Sequence, residues 1–457
     1  MTTLWTSAEI AAAVRGTAVG SFEVSGVAYD SREVGPHDLF VALQGESTDG
    51  HRFVAQAFAQ GAAGVIVSQP VDGPHVHVED TTAALNALGA ASRARTQAKI
   101  IGVTGSVGKT GTKEALFAAL DRSAPGRAHR SVKSYNNHVG VPLSLSRMPA
   151  GTRFGVFEMG MNHAGELDAL TRLVRPHVAL VTAIAPAHSA FFSGEEAIAD
   201  AKGEIFRGLE PGGTAIIPFD SPHRDRLIAA AEPYATKIVT FGRGAGADVR
   251  AAEAVRGLAG TLVNATLPGG QLTFTIGLPG EHWVSNALAV LAAVEAVGGD
   301  LAAAGLALAE MAGLPGRGAR RIVPMAGGDA LLIDESYNAN PASMAATIRE
   351  LGQERATRRI ALLGEMRELG EGSAGYHAAL AQPLIDAGAQ VVILVGEGMA
   401  PLAESLAGHV DVAHVADAAA AKDRLAEMLR PGDAVLVKGS NAIGLARVIA
   451  ALAGENA

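Results

Sequence analysis

The chain contains no cysteine. That excludes disulfide staples and thiolate metal centres, and it is compatible with a reducing compartment. Aromatic residues are scarce, at 4% of 457 positions, although 48% of the chain is hydrophobic. Much of the apolar content is alanine, which suits helices packed closely on sheets. Positive charge is in deficit: 37 Lys and Arg stand against 46 Asp and Glu, a formal net charge of −9. No basic footprint for nucleic acid exists. Long unbroken apolar runs are missing too. Prolines and histidines interrupt the uncharged stretch Pro176–Gly194, so no membrane span is expected. The opening "MTTLWTSAEIAAAVRG" lacks the basic n-region and continuous apolar core of a signal peptide. A soluble, cytoplasmic protein is expected, and a monomer. Its length predicts two or three domains.

What is present is an alternation of strand-like and helix-like segments. Residues 1–82 mix short apolar runs, "DLFVAL" and "AGVIV", with turn-rich stretches such as "GESTDGH", predicting a small α/β domain. The alanine-rich "TTAALNALGAASRART" reads as a helix leading into a second domain, residues 83–312. There "KIIGVTG", "FGVFEMG", "VALVTAI", "GTAIIPF" and "KIVTFG" alternate with helical segments, the pattern of a mostly parallel sheet. A glycine-rich β-like part, "VNATLPGGQLTFTIGLPG", follows, then a helix from about Val284. "AGLPGRGAR" reads as a linker. Residues 313–457 supply four more strand candidates, in "ALLIDESYNANP", "RIALLGEM", "VVILVGEG" and "AVLVKGSN", with helices between. The whole is an α/β protein. Ligands of such sheets bind at the carboxyl ends of strands, where these polar motifs fall.

The richest stretch is "IIGVTGSVGKTGTKEAL", an apolar strand, a glycine loop and a helix. The common phosphate-loop pattern places glycine where Val103 stands, so the loop is the tighter Gly105-Ser106-Val107-Gly108-Lys109-Thr110-Gly111. Its glycines let backbone N–H groups approach phosphate oxygens, and the following helix aims its positive end at them. Lys109 would neutralise the outer phosphates, and Thr110 would offer a hydroxyl to Mg²⁺. ATP is favoured, although the loop itself is equally suited to GTP. Glu158 ends an apolar strand, where a carboxylate holds a metal or serves as a cap or ion pair for the next helix. On local pattern alone, Lys202 reads as a surface lysine and His188 as a loop histidine.

Taken together, Val103–Glu114, Glu158–Leu167, "APAH", "AKGEIF" and "DESYNANP" resemble the Mur ligases of peptidoglycan synthesis. The resemblance spans nearly the whole chain in the family's order. The forms "EMGMNHAGEL" and "SYNANP" are most similar to its dipeptide-adding branch. It implies a three-domain Mur ligase architecture with a P-loop ATPase central domain and a Rossmann-like C-terminal domain. It also implies ATP-dependent ligation of D-alanyl-D-alanine to UDP-N-acetylmuramoyl-tripeptide through an acyl phosphate, with Mg²⁺.

Roles follow from the same resemblance, position by position. Ser31, Arg32, Asp49, Gly50 and His51 fall in the segment that recognises the UDP end; without it, "SREVGPHD" is a turn with solvated charges. Lys109 and Thr110 take phosphates and metal, and Glu158 takes Mg²⁺. His188 and Lys202 match a second metal site at which the family's lysine is carbamylated. Asn286 matches an adenine contact, with a helix N-cap or an interior polar residue as the plain alternatives. Asn136 and Asn137 match a pair near the substrate, as does Asn162, though the pair equally suits a turn. Arg317 matches an arginine that reaches the phosphates when domains close. Asp334, Tyr337, Asn338 and Asn340 match nucleotide and dipeptide contacts; Glu335 stands where members often carry a second aspartate. Lys438, Gly439 and Ser440 resemble a motif that ordinarily continues with arginine, whereas Asn441 follows here. Two enzymes remain as alternatives, the tripeptide-forming sibling that adds diaminopimelate or lysine and a folate-polyglutamate ligase; the N-terminal domain disfavours the latter. A non-ligating nucleotide-dependent switch is the alternative of another class.

Overall fold

The computed structural model describes the chain apart from residues 1–2, 46–47, 187–191, 193, 258 and 455–457. His188 therefore lies outside the described residues.

The run "KIIGVT" forms a strand, Lys99–Thr104, buried at every position but the first. Burial on both faces explains why it is apolar throughout rather than alternating. It lies inside a nine-stranded sheet whose order is Gly270–Ile276, Gly260–Leu267, Val249–Gly257, Lys237–Gly242, Thr214–Pro218, Val178–Val181, Lys99–Thr104, Phe154–Glu158 and Ala128–Arg130. Pairing is parallel from Ala128–Arg130 to Val249–Gly257, and the last two strands pair antiparallel. From Lys99–Thr104 the chain runs to Ala128–Arg130 and Phe154–Glu158 on one side, then crosses to Val178–Val181 on the other. That reversal opens a crevice at the carboxyl ends of three adjacent strands, the general ligand position of such sheets.

Two apolar layers hold the sheet. On one face Leu116 and Leu120, from helix Lys109–Ser123, pack with Leu288 and Leu291 of helix His282–Ala296. On the other, Phe157 and Ile217 meet Leu167, Leu170 and Phe206. Each such side chain contributes about 1.5–3 kcal/mol by leaving water. The alanines of "HWVSNALAVLAAVEA" let the two helices approach, which brings their amino-terminal ends to the crevice.

The N-terminal sheet has five strands, ordered Thr17–Val19, His75–His77, Gly64–Val67, Asp38–Val41 and Gly26–Ala28; only the first pair is antiparallel. Helix Thr81–Ala94 starts at Asp80, whose carboxylate accepts from the Thr82 and Ala83 amides. Its Leu85 and Leu88 pack among Trp5, Ile10 and Leu39 of this domain. At its other end, Arg93 donates to the Val174 and Arg175 carbonyls, seating the domain on the central one.

The C-terminal sheet has six strands, ordered Ala319–Met325, Gly328–Glu335, Asp433–Lys438, Arg358–Gly364, Val391–Val395 and Asp411–Val415. All pairs are parallel except the opening hairpin. The stretch expected as a linker is itself structured. Leu314 and Arg317 exchange backbone hydrogen bonds at 3.2 and 2.8 Å, and strand Ala319–Met325 begins two residues later. Gly and Pro mark a fixed turn in this case, not a free connector. No helix among the described residues is long and apolar enough to cross a membrane.

Candidate active site

The nucleotide-loop candidate leaves the central strand at Thr104 and is pinned to the neighbouring strand. Ser106 N donates to the Ala183 carbonyl at 2.7 Å, and Thr182 Oγ1 donates to the Val107 carbonyl at 2.6 Å. Gly105 is needed for this approach: a Cβ there would stand 2.0 Å from Thr182 Oγ1, at φ +145°. Gly108 takes φ +88° and would set a Cβ 3.0 Å from Asn286 Oδ1. Helix Lys109–Ser123 then starts without a side-chain cap. Its first N–H groups are left for an acceptor from outside the helix, and the helix dipole favours an anion there. Gly111 sits in that first turn against the Trp283 ring.

Lys109 is half-buried and folds back, its Nζ donating to the Gly105 carbonyl at 2.6 Å. Burial pushes its pKa down, Glu158 opposes that shift, and Arg317 adds to it. Thr110 Oγ1 donates to Glu158 Oε2 at 2.8 Å, and Asn136 Nδ2 donates to Oε1 of the same carboxylate at 2.8 Å. Glu158 is 1% exposed, and its amide is held by Ser131 Oγ at 3.1 Å. The structure thus brings Lys109, Thr110, Asn136 and Glu158 together.

Lys202 belongs to the same neighbourhood. It lies in helix Glu195–Gly203 and is 1% exposed, so the surface-lysine reading is wrong. Burial holds its pKa well below the ordinary lysine range; nearby Lys109 adds to this, while Glu158, Glu166 and Glu204 oppose it. Among the described residues its side chain makes no hydrogen bond. Glu204 is committed elsewhere, accepting from the Gly165 and Asp168 amides at the start of helix Glu166–Val174.

Arg317 enters from the C-terminal domain. Its Nη2 donates to Ser134 Oγ at 3.1 Å, and its guanidinium lies 4.2 Å from the Tyr337 ring centre. Asp334 builds the turn that carries it, with Oδ2 accepting from Gly316 N at 2.8 Å and Oδ1 from Ser336 Oγ at 2.6 Å. Asn340 caps helix Pro341–Gly352 through Ser343. The Asn338 carbonyl accepts from buried Lys438, which also pairs with Glu335 at 3.4 Å. Ser440 Oγ accepts from Arg367 N. Asn286 is buried beside Gly108 with its side-chain amide unbonded among the described residues.

Other predicted residues are occupied locally. Asn137 Oδ1 accepts from the Val139 and Gly140 amides at the start of helix Gly140–Ser146. Asn162 N donates to Glu166. Ser31 is buried and donates to Gln56, whereas exposed Arg32 pairs with Asp30. His51 is fixed between Asp49 and the Ser68 amide, and Gly50 between them packs on the Leu43 backbone.

Sequence reasoning missed Lys113, Ser134 and Thr182. Lys113 is fully buried, with Nζ donating to the carbonyls of Ser131 and Lys133 at 2.9 and 2.8 Å and pairing with Glu114 at 2.7 Å. Its spacing of four from Lys109 puts both on one helix face. That was the available signal.

A hard divalent cation fits this donor set. A threonine hydroxyl and a buried carboxylate, already within hydrogen-bond reach of each other, are oxygen ligands of the kind Mg²⁺ uses alongside phosphate oxygens and water. Among the described residues no group of three or more His, Asp or Glu converges as an all-protein cage.

Three family models match: "Mur ligase family, catalytic domain" over residues 23–125, "Mur ligase middle domain" over 103–294, and "Mur ligase, glutamate ligase domain" over 320–441. The UDP-N-acetylmuramoyl-tripeptide–D-alanyl-D-alanine ligase of Escherichia coli is 35% identical, with 93% of each chain aligned. A crystal structure of MurF from Acinetobacter baumannii superposes with a TM-score of 0.85 at 32% identity, covering 99% of both chains. The MurF ligase of Thermotoga maritima in complex with ADP gives 0.77 at 26%, covering 94% of this chain and 98% of that one.

Proposed function

Because the chain belongs to the Mur ligase family of ATP-dependent, peptide-bond-forming ligases, we propose that it joins D-alanyl-D-alanine to UDP-N-acetylmuramoyl-tripeptide in peptidoglycan precursor synthesis, acting in the cytoplasm as a monomer. The observation that carries this reading is the set Lys109, Thr110 and Glu158 at the carboxyl ends of adjacent parallel strands, approached by Arg317 from the next domain.

The tripeptide carboxylate attacks the γ-phosphorus of ATP, and ADP leaves as the acyl phosphate forms. The dipeptide amine then attacks the carbonyl carbon, and the tetrahedral intermediate expels phosphate. Two anions must meet in the first step. Lys109 offsets that charge from the loop, and the uncapped helix terminus receives phosphate oxygens. Thr110 and Glu158 would hold Mg²⁺, with Lys202 and His188 toward a second ion; bound there, the cation screens charge on the phosphates. Asn286, beside Gly108, takes the adenine. Ser31, Arg32 and Asp49–His51 take the UDP end, and Tyr337 and Asn338 line the dipeptide side. Excluding water protects the acyl phosphate, so domain closure accompanies turnover.

The deciding experiment is ADP release measured with each substrate omitted in turn. Sustained release, beyond one ADP per enzyme, is expected only when UDP-N-acetylmuramoyl-tripeptide and D-alanyl-D-alanine are both present. Release satisfied by diaminopimelate or lysine with the dipeptide precursor would transfer the assignment to the tripeptide-forming sibling. Slow release indifferent to all of them would indicate a nucleotide switch.

Arg317 supplies a separate check on closure. Because it crosses between domains, Arg317→Ala is expected to lower kcat more than it weakens ATP binding to the resting enzyme. A change confined to nucleotide affinity would contradict a closure role.

A further inference from the structure

The segment "SVKSYNN", residues 131–137, touches all three domains within seven residues. From the nucleotide-loop helix, buried Lys113 grips the carbonyls of Ser131 and Lys133. Lys133 takes a left-handed φ of +53°, a conformation costly for a side-chain-bearing residue and held here by those contacts. On the N-terminal side, Tyr135 Oη lies 2.9 and 2.8 Å from the two Glu33 carboxylate oxygens, and Lys133 Nζ pairs with the same group. Glu33 closes the one-turn helix Ser31–Glu33, which also carries Ser31 and Arg32. Between Lys133 and Tyr135, Ser134 turns to the crevice. Its Oγ accepts from Arg317 Nη2 at 3.1 Å and lies 3.4 Å from Thr110 Oγ1.

The protons on this line can be assigned. Arginine only donates, and the Glu158 carboxylate, as an anion, only accepts. Thr110 spends its hydroxyl proton on Glu158 at 2.8 Å. Ser134 is then free to donate to Thr110 while accepting from Arg317. The result is one directed chain from Arg317 through Ser134 and Thr110 to Glu158. A side chain without a hydroxyl at position 134 breaks it in two places.

We propose that Ser134 is a positioning residue that orients Thr110 and Arg317 toward the nucleotide phosphates, and that its own placement is set from the UDP-binding domain through Glu33. The inference rests on the ligase reading. UDP-muramoyl substrate seated near Ser31 and Arg32 orders the Glu33 turn, and Tyr135 and Lys133 carry that order to Ser134. Binding at one end therefore favours binding at the other, and linkage requires the effect to be mutual.

The test combines equilibrium binding with kinetics on the full-length protein. In titrations with a non-hydrolysable ATP analogue, UDP-N-acetylmuramoyl-tripeptide is expected to tighten analogue binding several-fold in the wild type. In Ser134→Ala and in Glu33→Gln that factor is expected to fall toward one. In turnover at saturating ATP, Ser134→Ala is expected to lose about tenfold in kcat and to raise the KM for the UDP substrate by about the several-fold factor lost in binding, and Ser134→Thr to recover most of both. The double variant is expected to be no slower than Ser134→Ala, because both changes cut one chain. Melting curves matching the wild type establish that the variants fold. The proposal is overturned if the wild type shows no tightening, if both variants keep it, or if the kcat losses of the pair multiply. A wild type that binds no UDP-muramoyl substrate overturns the ligase reading and this inference with it.

Discussion

Lys109→Ala is expected to lose 10²-fold or more in kcat while its melting temperature stays near that of the wild type. The first chemical step drives a carboxylate against a triphosphate, and no other ammonium in the loop can meet the charge that develops. Removing one such preorganised stabiliser commonly costs several kcal/mol of barrier. Burial lowers the pKa of Lys109, which marks a site where charge is poorly solvated and so interacts strongly with phosphate. The side chain now donates to its own loop at Gly105, so it must swing outward when phosphate arrives. Little apolar surface rests on it, which is why the fold should tolerate the change. Single-turnover formation of ADP is the measurement. Near-wild-type rates in this variant would sink the phosphate-loop assignment.

Lys202→Ala is expected to be inactive and to recover part of its activity in formate or another small carboxylate. An ammonium beside a divalent cation would be repelled, yet Lys202 is buried in the region where the cation fits. Its depressed pKa raises the fraction of neutral amine near pH 7. A neutral amine adds CO₂: nitrogen forms a bond to carbon, one proton leaves to solvent, and a carbamate anion results. That exchanges a cation for an oxygen ligand of the hard type Mg²⁺ prefers. A crystal of the Mg²⁺- and ATP-bound enzyme should show density beyond Nζ, with oxygens roughly 2.0–2.2 Å from the metal. A bare ammonium directed at solvent in an active, loaded enzyme would refute the carbamate.

The fold class is legible in the sequence because its central strands are buried on both faces and read as uninterrupted apolar runs. The strand Val249–Gly257, "VRAAEAVRG", has no such run, since it is largely exposed, and its pattern gives no warning of a strand. The hairpin at Ala319 hides behind Gly and Pro, which mark turns without saying whether the turn is fixed. In the site, Thr110 and Glu158 are legible from strand ends and loop spacing. Lys202 is not, because only the packing of other elements decides whether a helix lysine is buried. Lys113, Ser134 and Thr182 share that difficulty: each acts on backbone or side chains brought near by the fold alone. Asn137 and Asn340 illustrate the reverse, where an amide in a polar motif is spent on capping a helix.

The bare start of helix Lys109–Ser123 has a thermodynamic consequence. Some other helices are finished by the chain's own side chains, as at Asp80, Asp300 and Asp417. Such caps are worth about 1 kcal/mol each. In the proposed ligase that contribution at Gly108 would come from a phosphate, so the substrate would serve as the final piece of this secondary structure. Unfolding and nucleotide release then share one equilibrium, and the protein's resistance to denaturation rises with the logarithm of free nucleotide above its dissociation constant.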